Sequence, residues 1–140
     1  MAKERINYFL SGTRVGIRSM RDADIPLIAR WLNDEAVTHF MFYGQLPTTA
    51  AQVSEMITDQ IKSPANVVVT VCDKKTGAPI GFAGLYDMHR TAQKAEFRVL
   101  IGARAFWGKG YGTEATELLT FYAFDRLNLH RIWLGVTAEN

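Results

Sequence analysis

A chain of 140 residues with 48% apolar content is the size of one ordinary domain and carries enough apolar surface to bury a core. Its 16 lysines and arginines against 14 aspartates and glutamates leave a formal charge of +2, which gives no global warrant for nucleic-acid binding. The single cysteine, Cys72, excludes an internal disulfide, no apolar run reaches membrane-spanning length, and the N-terminal MAKERINYFL lacks a signal-peptide core, so a soluble cytoplasmic protein is expected.

Within residues 13–19, Val15 and Ile17 alternate as in a short half-buried strand. Asp22 or Asp24 then suits a helix cap, Pro26 suits a first turn, and Ile25, Ile28, Trp31 and Leu32 recur at helical spacing. Residues 34–44 are aromatic-rich and poorly periodic, which reads as a short helix or turn. A second helix is predicted after Thr48-Thr49, with Val53, Met56, Ile57 and Ile61 on one face until Pro64. The β-branched run Val67–Val71, the turn-rich D-K-K-T-G-A-P, I-G-F-A-G-L-Y-D-M and A-E-F-R-V-L-I predict three antiparallel strands in succession.

The segment W-G-K-G-Y-G-T-E-A, residues 107–115, strips side chains from the backbone at Gly108, Gly110 and Gly112 and opens a helical stripe of Ala115, Leu118, Leu119, Tyr122 and Ala123. Asn128 marks that helix's end, and R-I-W-L-G-V predicts a further strand, parallel to its partner because a helical crossover separates them. The predicted order β-α-α-β-β-β-α-β is α+β with a mixed, mainly antiparallel sheet in one domain. Glycines at a helix N-terminus let an anion approach unpaired N–H groups, with Lys109 and Thr113 able to add a charge and a hydroxyl. A Walker loop does not fit, because Gly110 follows Lys109 where Ser or Thr is needed. Gly110, Gly112 and Ala115 match the dinucleotide pattern only formally, since six residues separate Ile101 from Gly108.

Together A-E-F-R-V-L-I, W-G-K-G-Y-G-T-E-A, the helix after it and L-N-L-H-R-I-W-L-G-V-T-A-E-N resemble the GNAT superfamily of acyl-CoA-dependent N-acyltransferases. Within it, the likeness is to the ribosomal-protein N-terminal and spermidine N-acetyltransferases. The resemblance implies acetyl-CoA as co-substrate and transfer to a primary amine of a polyamine, protein N-terminus or amino sugar. Its phosphate loop, Q/R-x-x-G-x-G/A, falls on Trp107, Gly110 and Gly112, with Trp107 in place of Gln or Arg. The loop residues Gly108, Lys109, Tyr111 and Thr113 join this cofactor set. Val99, Leu100 and Ile101 would pair with the pantetheine arm, and Asn140 matches a CoA-contacting asparagine.

Transfer to an amine requires a proton acceptor and stabilisation of the thioester oxyanion. The resemblance offers Glu96 as the base and a backbone N–H near Leu100 as the oxyanion donor, while pairing of Glu96 with Arg98 is the competing reading. Residues 21–61 carry a net charge of −4, leaving +6 for the remainder, which suits a cationic acceptor on one side and an anionic cofactor on the other. Glu35, Phe40 and Tyr43 are the acceptor-binding candidates, and Glu55 and Asp59 lie one helical turn apart. His39, His89 and His130 have no metal-ligand spacing, so no metal is expected. In the family a further helix and strand follow the A-E-N strand, so the domain is expected to be incomplete at its C-terminus: a fragment, a chain completed by a partner or second copy, or a reduced domain. A non-catalytic CoA-binding module is the alternative function, and a dinucleotide-binding oxidoreductase a more distant one.

Overall fold

The computed structural model describes residues 6–39 and 46–135. Among them the elements are β1 (Leu10–Ser11), β2 (Val15–Ser19), a 3-10 turn (Asp22–Asp24), α1 (Ile25–Leu32), α2 (Glu35–Thr38), α3 (Ala50–Lys62), β3 (Val67–Asp73), β4 (Pro79–His89), β5 (Lys94–Ile101), a second 3-10 turn (Arg104–Phe106), α4 (Tyr111–Asp125) and β6 (Arg131–Trp133). The six strands form one sheet in sequence order, antiparallel throughout except for the β5–β6 pair. A doubly wound parallel sheet is thereby ruled out, and the dinucleotide reading of the glycine loop with it.

Each face of the sheet carries its own core. On one side Val15, Ile17, Val71, Leu85, Ala95 and Phe97 pack against Ala115, Leu119 and Ala123 of α4. On the other, Leu100 and the half-buried Phe82 meet Ile28, Trp31 and Leu32 of α1 and Val53 and Ile57 of α3. Strand alternation makes this division: odd-numbered Ala95 and Phe97 face α4, so even-numbered Glu96, Arg98 and Leu100 face the α1–α3 side.

The local signals largely hold. Thr49 caps α3 through a reciprocal pair with Gln52, as the Thr48-Thr49 signature predicts. Ile61, expected on the buried face of α3, is about half exposed in the helix's last turn, while Val53 and Ile57 are buried. The strand predicted at 131–136 is shorter, ending at Trp133 with Leu134 and Gly135 outside the ladder. β1 is an additional strand whose two residues pair with Ile17 and Gly16 of β2.

Asp24 serves differently from the cap the sequence suggests. Its buried carboxylate receives Arg18 Nη1 at 2.8 Å and Nη2 at 2.9 Å, the Thr70 hydroxyl at 2.8 Å and, nearer the surface, the Arg21 N–H at 2.9 Å. Arg18 and Thr70 stand opposite one another on β2 and β3, so this one carboxylate ties two strands to the segment entering α1. Burial pushes its pKa up, yet the bonds from Arg18, the Arg21 N–H and Thr70 outweigh it and the net shift is downward.

Asp24→Ala leaves the buried Arg18 charge uncompensated and is expected to cost about 3–5 kcal/mol in urea unfolding; a cost under about 1 kcal/mol would show that the pair does not hold the layers. With its folded pKa depressed, Asp24 contributes fully above the unfolded value near 3.9, and that stability is lost as pH falls through the lower folded value. Unfolding midpoints of wild type and Asp24→Ala are therefore expected to converge in strong acid.

Candidate active site

β5 has two neighbours for only part of its length. It pairs with β4 from Lys94 to Ile101, whereas its parallel pairing with β6 stops at Glu96↔Trp133. Gly102 N–H donates to Ile80 C=O across the Gly81↔Ile101 position, which makes that pair non-hydrogen-bonded. By alternation, the N–H and C=O of Val99 and Ile101 point away from β4, toward the side that β6 has left. Leu100's own N–H is turned to Phe82 on β4, so an oxyanion donor near Leu100 falls on Val99 or Ile101 rather than on Leu100 itself.

The strand runs from this open edge into the glycine loop. Gly102 lies beneath the Trp31 indole so closely that a Cβ there would come 2.1 Å from the ring, fixing the exit of β5 against α1. The Trp107 indole N–H donates to Ile101 C=O at 2.6 Å. Trp107 thus closes one polar group of the open edge from within the chain, where the family pattern has Gln or Arg. Gly108 and Gly110 have φ of 71° and 87°, the left-handed conformation that glycine adopts without strain.

Gly110 is the residue before the first turn of α4, and no side chain caps that end. The N–H groups of Tyr111, Gly112 and Thr113 therefore keep the unpaired character of a helix start. A Cβ at Gly112 would meet only Ile101 Cγ1, at 3.6 Å, which places α4's first turn directly beside the end of β5. Lys109 and Thr113 are exposed at this helix start. Tyr111 turns inward, its ring edge-on to Phe106 at 5.0 Å and its hydroxyl donating to Asp73 at 3.3 Å. Burial, then Asp73, raises its pKa, so it stands as an anchor of the helix start and not as a poised acid.

On the α1–α3 face, Arg98 grips Glu96 with Nε–Oε1 at 3.0 Å and Nη2–Oε2 at 2.9 Å, and its guanidinium lies 4.3 Å from the centroid of Tyr86. A cavity of about 40 Å³ adjoins this row, lined by Leu32, Met56, Gln60, Phe82, Arg98 and Leu100 among others. It joins the apolar underside of α1 and α3 to the part of β5 that has lost β6. Glu35 is exposed at the start of α2, and Glu55 and Asp59 are exposed on α3. Phe40, Tyr43 and Asn140 lie outside the described residues.

Two further residues of this region carry no local signal in the sequence. Glu114, in α4's first turn, accepts the N–H groups of Thr13 and Arg14 at 3.2 and 2.8 Å and that of Val15. Arg14 Nη1 donates to Lys109 C=O at 2.8 Å. Only a spacing of about a hundred residues separates these partners in sequence, and no periodicity reports it. Among the described residues, no group of three or more His, Cys, Asp or Glu is placed to hold a metal, and no helix is long and apolar enough to cross a membrane.

The comparisons with known proteins agree with this geometry. A model of the acetyltransferase (GNAT) domain matches residues 14–140. The chain is 31% identical over 130 residues to an uncharacterized N-acetyltransferase, p20, of Bacillus licheniformis, covering 91% of this chain and 72% of that protein. It is 27% identical over 132 residues to the spermidine N(1)-acetyltransferase of Escherichia coli K12, covering 93% and 68% respectively. Spermidine N-acetyltransferase from Vibrio cholerae, solved with CoA and spermine, superposes with a TM-score of 0.81 at 25% identity over 92% of this chain and 75% of that one. A matched domain that takes in β2 through β6, the open β5 edge and the glycine loop shows that the chain belongs to the GNAT family and is an acetyl-CoA-dependent acetyltransferase.

Proposed function

We propose that this chain moves an acetyl group from acetyl-CoA to a primary amine of a small polycation of the spermidine class, by direct attack within a ternary complex. The observation that carries the reading is the backbone of Val99 and Ile101, turned to an edge without β6 and followed, past the 3-10 turn of Arg104–Phe106, by an uncapped helix start. An extended amide-bearing arm can pair there as a strand would, with its pyrophosphate on the N–H groups of Gly110, Tyr111, Gly112 and Thr113. Lys109 supplies a nearby positive charge, and Trp107 shapes the rim through Ile101. Support for a polyamine comes from the spermidine N(1)-acetyltransferase similar to this chain and from the spermine-bound structure that superposes on it.

In this reading the neutral amine attacks the thioester carbon, a C–N bond forms and the C–S bond breaks, releasing the thiolate of CoA. The N–H of Val99 or Ile101, beside Leu100, stabilises the negative charge that develops on the carbonyl oxygen. Glu96 takes the amine's proton, directly or through a water. Arg98 holds both carboxylate oxygens, so the acceptor positions of Glu96 are those on the side away from the guanidinium. The −4 charge of residues 21–61, including the exposed Glu35, Glu55 and Asp59, draws a polycation to the α1–α3 side. Phe40 and Tyr43 remain acceptor contacts, and Asn140 a CoA contact, on the resemblance alone.

Thermal unfolding with and without acetyl-CoA tests the donor site, because a ligand that binds the folded chain raises the midpoint. Thiol release on adding spermidine, compared with a basic N-terminal peptide, tests the acceptor. A raised midpoint with no turnover on any amine favours the binding module instead. At Gly112 the structure separates fold from ligand: Gly112→Ala is expected to keep acetyl-CoA affinity within about threefold, since its Cβ meets only Ile101. Gly112→Leu, which puts a bulky side chain at the helix start, is expected to lose more than about tenfold in titration calorimetry. Equal affinities in the two variants would move the pyrophosphate elsewhere.

Glu96→Gln is expected to lower kcat by about 10²-fold while leaving acetyl-CoA affinity unchanged. A rate equal to wild type removes Glu96 from proton transfer and leaves it as Arg98's partner.

A further inference from the structure

Glu114 presents a problem for a helix start that receives an anion: it puts a negative charge in the first turn of α4. The structure turns that charge away. Its carboxylate accepts the consecutive N–H groups of Thr13, Arg14 and Val15, and the turn between β1 and β2 lies so close that a Cβ on Gly12 would come 2.9 Å from Glu114 Cδ. The same contacts fix the backbone of Arg14 beside the glycine loop. From there its guanidinium reaches Lys109 C=O at 2.8 Å and would lie 2.8 Å from a Cβ on Gly110.

In a planar trans peptide the C=O and the following N–H point in opposite directions. Holding Lys109 C=O on Arg14 therefore aims the Gly110 N–H away from Arg14. Among the described residues that N–H donates to no protein acceptor. The Lys109–Gly110 peptide turns about ψ of Lys109 and φ of Gly110, and glycine at 110, at φ 87°, eases that rotation, so a partner for the Lys109 carbonyl decides which way the Gly110 N–H faces.

We propose that Arg14, held in place by Glu114, is a positioning residue of the glycine loop: it locks the Lys109–Gly110 peptide so that the Gly110 N–H faces the pyrophosphate of acetyl-CoA. The inference rests on the acetyl-CoA site proposed above. Arg14 acts through Lys109 C=O and not as a charge on the ligand. The hairpin at the far edge of the sheet thereby enters donor binding without touching the reacting atoms.

Calorimetric titration of acetyl-CoA into wild type, Arg14→Met, Arg14→Lys and Glu114→Gln tests it, with amine turnover followed in parallel. Arg14→Met is expected to bind about tenfold more weakly, with Glu114→Gln changed in the same direction and Arg14→Lys partly restored. The loss should appear in the KM for acetyl-CoA and not in kcat at saturation. The ratio of wild-type to Arg14→Met affinity should stay constant between about 0.05 and about 0.5 M NaCl, because no direct ligand charge is removed. In amide NMR, the shift of the Gly110 N–H on adding acetyl-CoA should be smaller in Arg14→Met than in wild type. An Arg14→Met chain binding as tightly as wild type overturns the proposal, as does a ratio that collapses toward one with salt. A wild-type chain that fails to bind acetyl-CoA overturns the donor site itself, and the role of Arg14 falls with it.

Discussion

The parting of β5 from β6 after Glu96 is the constraint from which the site follows. A strand buried in the middle of a sheet has no polar groups to offer, because both edges are taken. Here β5 stays bonded to β4 to its end, so it is held rigidly, while Val99 and Ile101 keep one edge without β6. The loss of ladder bonds is tolerable only because something else can use those groups. Trp107 takes one of them, the Ile101 carbonyl, and the donor arm is the proposed occupant of others.

Both faces of the sheet are fastened by polar contacts at positions where apolar packing alone would allow sliding. On one face the Asp24 carboxylate joins Arg18, Thr70 and the Arg21 backbone, seating α1 and thereby the indole of Trp31 on Gly102. On the other, Glu114 joins α4 to the turn before β2, and Gly112 brings α4 against Ile101. The donor loop lies between these two attachments. Apolar burial brings the layers together, and the two carboxylates fix their register. Cys72, buried near Arg18 with its thiol pKa pushed up by burial, belongs to this interior and offers no nucleophile.

Much of this was legible in the chain. Alternation marked β2, the β-branched run and the turn-rich segment after it marked β3 to β5, the Thr49 cap and the spacing of Val53 and Ile57 marked α3, and the three glycines marked the start of α4. Those signals are local, so a single sequence carries them. β1 escaped because two residues show no period, and its existence depends on the edge that β2 presents. The early end of β6 escaped because Trp133 and Leu134 are equally good strand residues, and only the sheet decides where pairing stops. The Glu96–Arg98 pair was foreseeable from their i, i+2 placement on one strand face. Arg14 and Glu114 were not, since each is an ordinary surface charge until the fold brings residues a hundred positions apart together.

The replacement at Trp107 has an optical consequence. Of the three tryptophans, Trp31 of α1 is buried against Gly102, Trp133 is exposed at the end of β6, and Trp107 stands at the rim of the glycine loop with its indole nitrogen bonded to Ile101. Indole emission responds to the polarity around the ring, and here one chromophore sits beside the open edge while another is sealed in the core. The chain therefore carries a built-in fluorophore at the mouth of its proposed donor site, in a position where a Gln or Arg of the family pattern would be dark.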